Sequence, residues 1–96
     1  MNLEKRIIDE IKEIASRYQC IKKVTLFGSR ARGDNGSKSD IDLAVYSDGS
    51  ISEFIEDIEM NTHTLLEFDF SDMNCIKDDF FKEQINSEGI VIYEKY

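Results

Sequence analysis

Two carboxylates separated by a single residue are the strongest chemical feature of this chain. Asp40 and Asp42 flank Ile41 at the start of an apolar run, and side chains two positions apart on a strand project to the same face of a sheet. Carboxylates that close repel one another unless cations lie between them. Mg²⁺ suits such hard oxygen ligands and is usually completed by phosphate oxygens. The pair therefore predicts a magnesium site that handles a phosphate-containing substrate.

A Gly-Ser turn precedes this pair, with ten residues between them. Gly28 follows a β-branched and aromatic run, so it permits a sharp turn and lets a ligand approach the main chain. Ser29 and the amides after it can form a helix start or nest that favours phosphate oxygens. We expect phosphates at Gly28 and Ser29, facing metal ions held by Asp40 and Asp42.

A two-metal site calls for a further acid from a neighbouring strand, with the metals about 4 Å apart. Residues 65–70 alternate apolar and acidic side chains, which places Glu67 and Asp69 on one polar face. We expect Asp69 to be the third carboxylate, and Glu67 is the alternative.

Hydrophobic periodicity predicts the elements that position these residues. The predicted helices cover residues 3–18, 50–61 and 78–87, and the predicted strands cover residues 21–27, 40–46, 65–70 and 90–93. Asn2 is the expected cap of the first helix, Ser50 and Glu53 form a capping box for the second, and Gly89 ends the third. Alternation of helices with short strands predicts one α/β (α+β) domain over residues 1–96, with a small sheet.

Composition restricts the class of protein. Twenty acidic against twelve basic residues give a net charge of −8, which argues against nucleic acid as a direct ligand, since phosphate contacts need clustered Lys and Arg. Two distant cysteines and one histidine do not make a zinc site. Neither a secretion signal nor a membrane-spanning apolar run is visible, so we expect a cytoplasmic protein without membrane contact.

The segment "LFGSRARGDNGSKSDIDLAV" resembles the signature of the polymerase-β-like nucleotidyltransferases, in which Gly-Ser is followed after ten residues by Asp-x-Asp. The likeness extends to "EFDFSDM" and "INSEGIVIYEK". The small size resembles the minimal nucleotidyltransferases, the antitoxin partners of HEPN toxins. The resemblance implies the nucleotidyltransferase fold, a small mixed sheet flanked by helices.

Roles follow from the resemblance residue by residue. Gly28 and Ser29 would hold the triphosphate, Asp40 and Asp42 would bind metal, and Asp69 would lie near the attacking hydroxyl. Arg30 and Arg32 belong to the signature and are expected to neutralise phosphate charge. For Arg32, a structural pair with Asp34 is an equal alternative.

The activity implied by the resemblance is metal-dependent transfer of AMP from ATP to a hydroxyl. The expected acceptor is a tyrosine of a partner HEPN toxin, so the protein would be an antitoxin that acts by AMPylation. One alternative is nucleotidyl transfer to a small molecule such as an aminoglycoside, which usually needs a further domain. The other is a stoichiometric antitoxin that binds its partner without turnover.

Overall fold

A computed structural model describes residues 1–95 and shows helices and strands alternating along the chain, as predicted. In chain order the elements are α1 (Lys5–Ser16), β1 (Ile21–Phe27), α2 (Ser29–Arg32), β2 (Ile41–Ser47), α3 (Ser52–Asn61), β3 (Phe68–Asp72), α4 (Asp79–Glu88) and β4 (Ile90–Glu94). Within residues 1–95, no helix has the length and apolar character needed to cross a membrane.

The four strands form one mixed sheet in the order β3-β2-β1-β4. β1 runs antiparallel to both β2 and β4, whereas β2 and β3 are parallel. Parallel neighbours need a crossover connection, and α3 supplies it between β2 and β3. The predicted small mixed sheet is confirmed, and its parallel pair carries the predicted acids Asp42 and Asp69.

The two faces of β2 belong to different parts of the interior. Ile41, Leu43 and Val45 are fully buried in the main core, which also contains the inner faces of α1 and α3. Ala44 instead contacts Met73 and Ile85, the latter from α4, on the opposite face of the sheet. The alternation predicted for this strand is confirmed from Ile41 to Val45, whereas Asp40 immediately precedes β2 instead of beginning it. Asp42 shares the side of Ala44 and therefore lies on the face covered by α4.

The third strand begins later than the sequence predicts. Leu65 is fully exposed, and β3 runs from Phe68 to Asp72 instead of covering residues 65–70. The reason lies in its neighbour, because Ile41, the first residue of β2, pairs with Phe68. Upstream residues have no strand beside them, and the Thr64 hydroxyl there accepts a hydrogen bond from the Leu66 amide at 3.1 Å in a local turn.

Asn2 does not cap the first helix, so that prediction is wrong. α1 begins at Lys5, with Glu4 as the flanking residue and no side-chain capping bond. The amide of Asn2 instead donates to the carbonyl of Arg30 at 2.8 Å. The segment before α1 is therefore attached to the signature rather than to its own helix.

The capping box at the start of the α3 region is also absent. The Ser50 hydroxyl accepts a hydrogen bond from the amide of Ser52 at 3.3 Å, one residue short of Glu53. Ser52 is the first helical residue, and the residue before it makes no side-chain cap. The later helix does match expectation, because Gly89 flanks the end of α4.

Candidate active site

The Gly-Ser turn connects β1 to the four-residue helix α2. Gly28 has φ 75° and ψ −157°, a conformation that is essentially restricted to glycine. The chain then turns directly into α2, where the amide of Arg32 donates to the Gly28 carbonyl at 3.2 Å. Gly33 ends this helix in the left-handed region, at φ 87°. The two glycines thus produce a tight excursion between β1 and the loop that leads to Asp40.

The sheet brings this turn against the carboxylate of Asp42. Phe27, the last residue of β1, pairs with Asp42 across the antiparallel ladder. A side chain at Gly28 would overlap the Asp42 carboxylate, so the carboxylate lies directly over the glycine. The predicted phosphate turn and the predicted metal ligand are therefore in contact.

Asp42 and Asp69 occupy paired positions on the parallel strands β2 and β3. Partial burial raises the pKa of Asp42, and the negative charges of Asp69 and then Asp40 raise it further. Arg32 opposes this shift but does not cancel it. Asp42 is partly buried, whereas Asp40 and Asp69 are exposed. The three acids therefore form a local concentration of negative charge centred on Asp42.

This donor set fits a magnesium ion shared with a phosphate-containing ligand. Among residues 1–95, no three His, Cys, Asp or Glu side chains converge as a complete metal cage. Mg²⁺ in phosphoryl-transfer sites is commonly bound by only one or two carboxylates, together with substrate phosphates. Burial, followed by the negative charges of Asp69 and Asp40, raises the pKa of Asp42, and a bound cation would offset these charges. Asp40, Asp42 and Asp69 carry oxygen atoms of the kind that such an ion prefers, and Asp42 and Asp69 are paired across the two strands.

The structure separates the two candidates for the third carboxylate. Asp69 stands opposite Asp42 in the ladder, and its charge acts on the pKa of Asp42. Glu67 precedes the first paired residue of β3, and its carbonyl accepts a hydrogen bond from the Ile41 amide at 2.9 Å. This geometry favours Asp69 over Glu67.

Arg32 is held by two acidic residues. Its guanidinium contacts the Asp34 carboxylate at 3.1 Å, the structural pair that is one of the two alternatives for Arg32, and the Glu88 carboxylate at 3.3 Å. These two pairs raise the pKa of Arg32, with Asp34 as the larger cause. The side chain is 41% exposed, so phosphate oxygens can compete for it. Arg32 remains a candidate phosphate ligand, at the cost of contacts it already makes.

Arg30 is in a different environment. The residue is only 6% exposed, and its guanidinium donates hydrogen bonds to three main-chain carbonyls. A phosphate contact from Arg30 would require these bonds to break and the side chain to leave the interior. The expected role of Arg30 as a phosphate ligand therefore has no support in this geometry.

Helix α4 forms a wall of the site that sequence reasoning missed. A cleft of about 130 Å³ lies beside Gly28 and is lined on the α4 side by Phe81, Ile85 and Glu88, among others. Phe81 meets Phe27 edge to face, with ring centroids 5.7 Å apart. The helical spacing of Phe81 and Ile85 signals an inward face, but nothing in the sequence indicates that this face adjoins the signature.

Comparison with known protein families identifies the family of this chain. Residues 9–96 match the sequence model of the family described as "Polymerase beta, Nucleotidyltransferase". The chain belongs to the polymerase beta nucleotidyltransferase family. The predicted family, fold class and enzyme class are thereby confirmed, and this chain is a nucleotidyltransferase.

Two relatives of this nucleotidyltransferase come from Methanocaldococcus jannaschii, and both are provisionally named protein adenylyltransferases. One is 36% identical over 97% of this chain and 100% of its own length. The other is 33% identical over 91% of this chain and 99% of its own length. The similarity thus extends over nearly the whole of each protein.

Solved structures share the fold of this nucleotidyltransferase at low identity. A toxin–antitoxin complex with AMP-PNP matches with a TM-score of 0.73 at 17% identity, over 92% of this chain and 73% of that chain. A variant of the toxin–antitoxin complex MntA–HpeT matches equally well, with a TM-score of 0.73 at 15% identity and the same coverage. A nucleotidyltransferase from Sulfolobus solfataricus has a TM-score of 0.57 at 20% identity, over 95% of this chain and 79% of that chain.

Proposed function

We propose that this nucleotidyltransferase transfers AMP from ATP to a hydroxyl group of a partner protein. The observation that carries the proposal is the contact of the Gly28 turn with the Asp42 carboxylate, opposite Asp69 on the next strand. A phosphate-binding turn and metal-binding acids on one face are the requirements of nucleotidyl transfer. The two archaeal relatives, named as protein adenylyltransferases, support AMP as the transferred group and a protein as its acceptor.

The residues of the site have two roles in the reaction, binding the triphosphate and holding the metal. Gly28 and Ser29 bind the triphosphate, and Arg32 exchanges a carboxylate partner for phosphate oxygens. Asp40, Asp42 and Asp69 would hold Mg²⁺, in a one- or two-metal arrangement, and bound Mg²⁺ supplies positive charge to the phosphate oxygens.

The transfer step itself proceeds by in-line displacement. The acceptor oxygen forms a bond to the α-phosphorus, the bond from that phosphorus to the bridging oxygen breaks, and pyrophosphate leaves. The acceptor's proton passes to the Asp69 carboxylate. Catalysis then consists mainly of positioning and charge neutralisation, with no covalent enzyme intermediate.

A toxin of the HEPN type, modified on a tyrosine, is the partner we favour. Two structures of this fold are toxin–antitoxin complexes, one of them solved with AMP-PNP. The other is a variant in which two aspartates, two positions apart, are both replaced by glutamate. A net charge of −8 would attract a basic, RNA-binding partner and speed its encounter with this chain. The site of action would be the cytoplasm, where ATP and such a partner meet.

The test combines this protein with Mg²⁺, ATP and the helical protein encoded beside it. Intact mass should show the partner heavier by ~329 Da for each AMP, an increment fixed by the transfer chemistry. The Asp42→Asn variant should leave the partner unmodified. Asp48→Asn is the matched control, because Asp48 is an exposed acid just beyond the opposite end of β2, where its carboxylate pairs with Lys22 at 3.2 Å. That variant should modify the partner like the unaltered protein.

Two other outcomes reject the proposal. An unmodified partner that is nevertheless inhibited in a tight complex would establish a stoichiometric antitoxin. AMP found on a small molecule but never on the partner would establish a small-molecule nucleotidyltransferase.

A further inference from the structure

Arg30 is a buried cation whose hydrogen-bond acceptors are all main-chain carbonyls. Its Nε donates to the carbonyl of Ser39 at 3.0 Å, and its Nη2 donates to that of Ser37 at 3.4 Å. Its Nη1 donates to the carbonyl of Asn2 at 3.0 Å. The planar fork of one guanidinium thus joins two segments that are far apart in the sequence.

The segment that Arg30 holds leads directly into the metal ligands. Residues 34–40 contain neither helix nor strand, and most of them are exposed. Their internal bonds are few and include the mutual contacts of Gly36 and Ser39, at 2.9 Å and 3.3 Å. The carbonyl of Ser39 belongs to the peptide group that it shares with Asp40. A hydrogen bond to this carbonyl therefore restrains the main chain next to the first metal ligand.

The segment before α1 completes the arrangement from the other side. The Asn2 amide donates to the Arg30 carbonyl at 2.8 Å, while the Asn2 carbonyl accepts from the Arg30 side chain. Arg30 is thus fixed at both its main chain and its side chain. A buried cation needs such fixed acceptors, because an unpaired one is costly.

We infer that Arg30 is a positioning residue, which acts on the site through the main chain of residues 37–39 and so sets where Asp40 and Asp42 meet the metal. The effect of Arg30 on catalysis rests on the proposed function. Its restraint of residues 37–39 does not, because that follows from the hydrogen bonds alone. A direct phosphate ligand would need its charge at the surface, whereas Arg30 uses its donors in the interior. Loss of Arg30 should therefore loosen the loop and weaken metal binding together.

The experiment compares Arg30→Met and Arg30→Lys with Lys38→Met in the full chain. Lys38 is an exposed cation in the same loop, so its substitution removes one positive charge without removing a loop restraint. Hydrogen exchange followed by mass spectrometry reports the opening of residues 34–40. Titration with Mg²⁺ alone measures the affinity of the carboxylates for the ion. Titration with a non-hydrolysable ATP analogue in the presence of Mg²⁺ measures the affinity for the nucleotide.

Arg30→Met should speed exchange in residues 34–40 at least ~10-fold and raise the Mg²⁺ concentration for half-saturation by a similar factor. Arg30→Lys should fall between Arg30→Met and the unaltered protein, because an ammonium group cannot span three carbonyls. Lys38→Met should change neither quantity. If Arg30→Met does not fold, the same two measurements on Arg30→Lys decide the matter.

The result that overturns the inference is loop exchange and Mg²⁺ binding in Arg30→Met equal to those of the unaltered protein. Full retention of ATP-analogue affinity in Arg30→Lys, with its loss in Arg30→Met and no change in exchange, would establish a direct phosphate contact instead. Neither readout needs turnover. Failure of the transfer reaction therefore rejects the proposed function without deciding the role of Arg30.

Discussion

Asp42 and Asp69 face one another across the only parallel strand pair within residues 1–95, and the charge of Asp69 contributes to the raised pKa of Asp42. The strands thus bring together two groups that repel each other in the absence of a cation. Such an arrangement lowers the stability of the metal-free protein and increases the gain when a divalent ion binds. The catalytic and the stability consequences of each acid can therefore be measured separately.

Replacement of Asp42 by Asn should abolish transfer while the fold is retained. We expect activity to fall at least ~100-fold, because a ligand of the metal is lost. Without metal, the melting temperature at neutral pH should rise by at most ~4 °C, since repulsion is relieved at a partly exposed site. Activity assays and thermal unfolding of Asp42→Asn and Asp48→Asn check both statements. Normal turnover by Asp42→Asn would remove Asp42 from the site.

Magnesium binding should strengthen as pH rises through the raised pKa of Asp42. The metal binds the ionised carboxylate, whereas burial and the charges of Asp69 and Asp40 keep the proton on Asp42 to higher pH, against the opposing effect of Arg32. Calorimetric titration with Mg²⁺ across this range checks the direction. Affinity that is independent of pH there would exclude Asp42 as a ligand.

The same raised pKa gives metal-free stability an opposite pH dependence. The folded state favours the protonated form of Asp42, so ionisation of this residue destabilises the fold. This loss of stability is absent below the unfolded pKa of 3.8 and complete above the raised pKa of the folded state. The stability of the unaltered protein relative to Asp42→Asn should therefore fall as pH rises through this window. Denaturant unfolding of both proteins at several pH values measures the difference, and a constant difference contradicts the prediction.

Substitution of Gly28 by Ala should cost both stability and activity. A methyl group there meets the Asp42 carboxylate, and φ of 75° with ψ of −157° strains any side chain. We expect a loss of ~1–3 kcal/mol in unfolding free energy and an inactive site. Gly33→Ala is the matched control, because φ is 87° but, within residues 1–95, the added methyl group meets no side chain beyond the adjacent residues. Equal effects of the two substitutions would show that backbone strain alone is responsible.

Asp69→Asn should reduce transfer strongly, whereas Glu67→Gln should leave it nearly unchanged. Asp69 is paired with Asp42, but Glu67 lies upstream of the first ladder pair of β3. Titration of Asp42 offers a second measurement, because removal of the Asp69 charge should lower its pKa. Loss of activity in Glu67→Gln alone would assign the third carboxylate to Glu67.

The local sequence pattern predicts which segments form the strands of the site, but it predicts the first and last residues of those strands less well. β1 spans the predicted residues 21–27, because this segment is rich in β-branched and aromatic residues and stops at Gly28. β3 is shifted downstream of its predicted position, since its start depends on where β2 begins. Alternation along one strand cannot reveal the position of its neighbour. Alternation nevertheless places Asp69 on the face of Asp42, because the face of a side chain does not depend on where the strand starts.

Long-range contacts are the part of the site that the sequence does not show. Arg32 and Glu88 are 56 positions apart, and Arg30 bonds to Asn2 over 28 positions. No periodicity links such residues, so the signature alone predicts the same role, neutralising phosphate charge, for Arg30 and Arg32. The fold assigns them different environments, one at the surface between two acids and one in the interior among carbonyls.

The overlap between Gly28 and Asp42 also has a genetic consequence. Because the Asp42 carboxylate occupies the space of a missing side chain, a side chain at position 28 requires a smaller residue at position 42. A selection for folded revertants of Gly28→Ala should return shorter residues at position 42, such as glycine, alanine or serine. These suppressors would recover soluble protein but lack the carboxylate, so they would remain inactive. The second substitution would thus restore solubility without restoring activity, although both properties depend on the same contact.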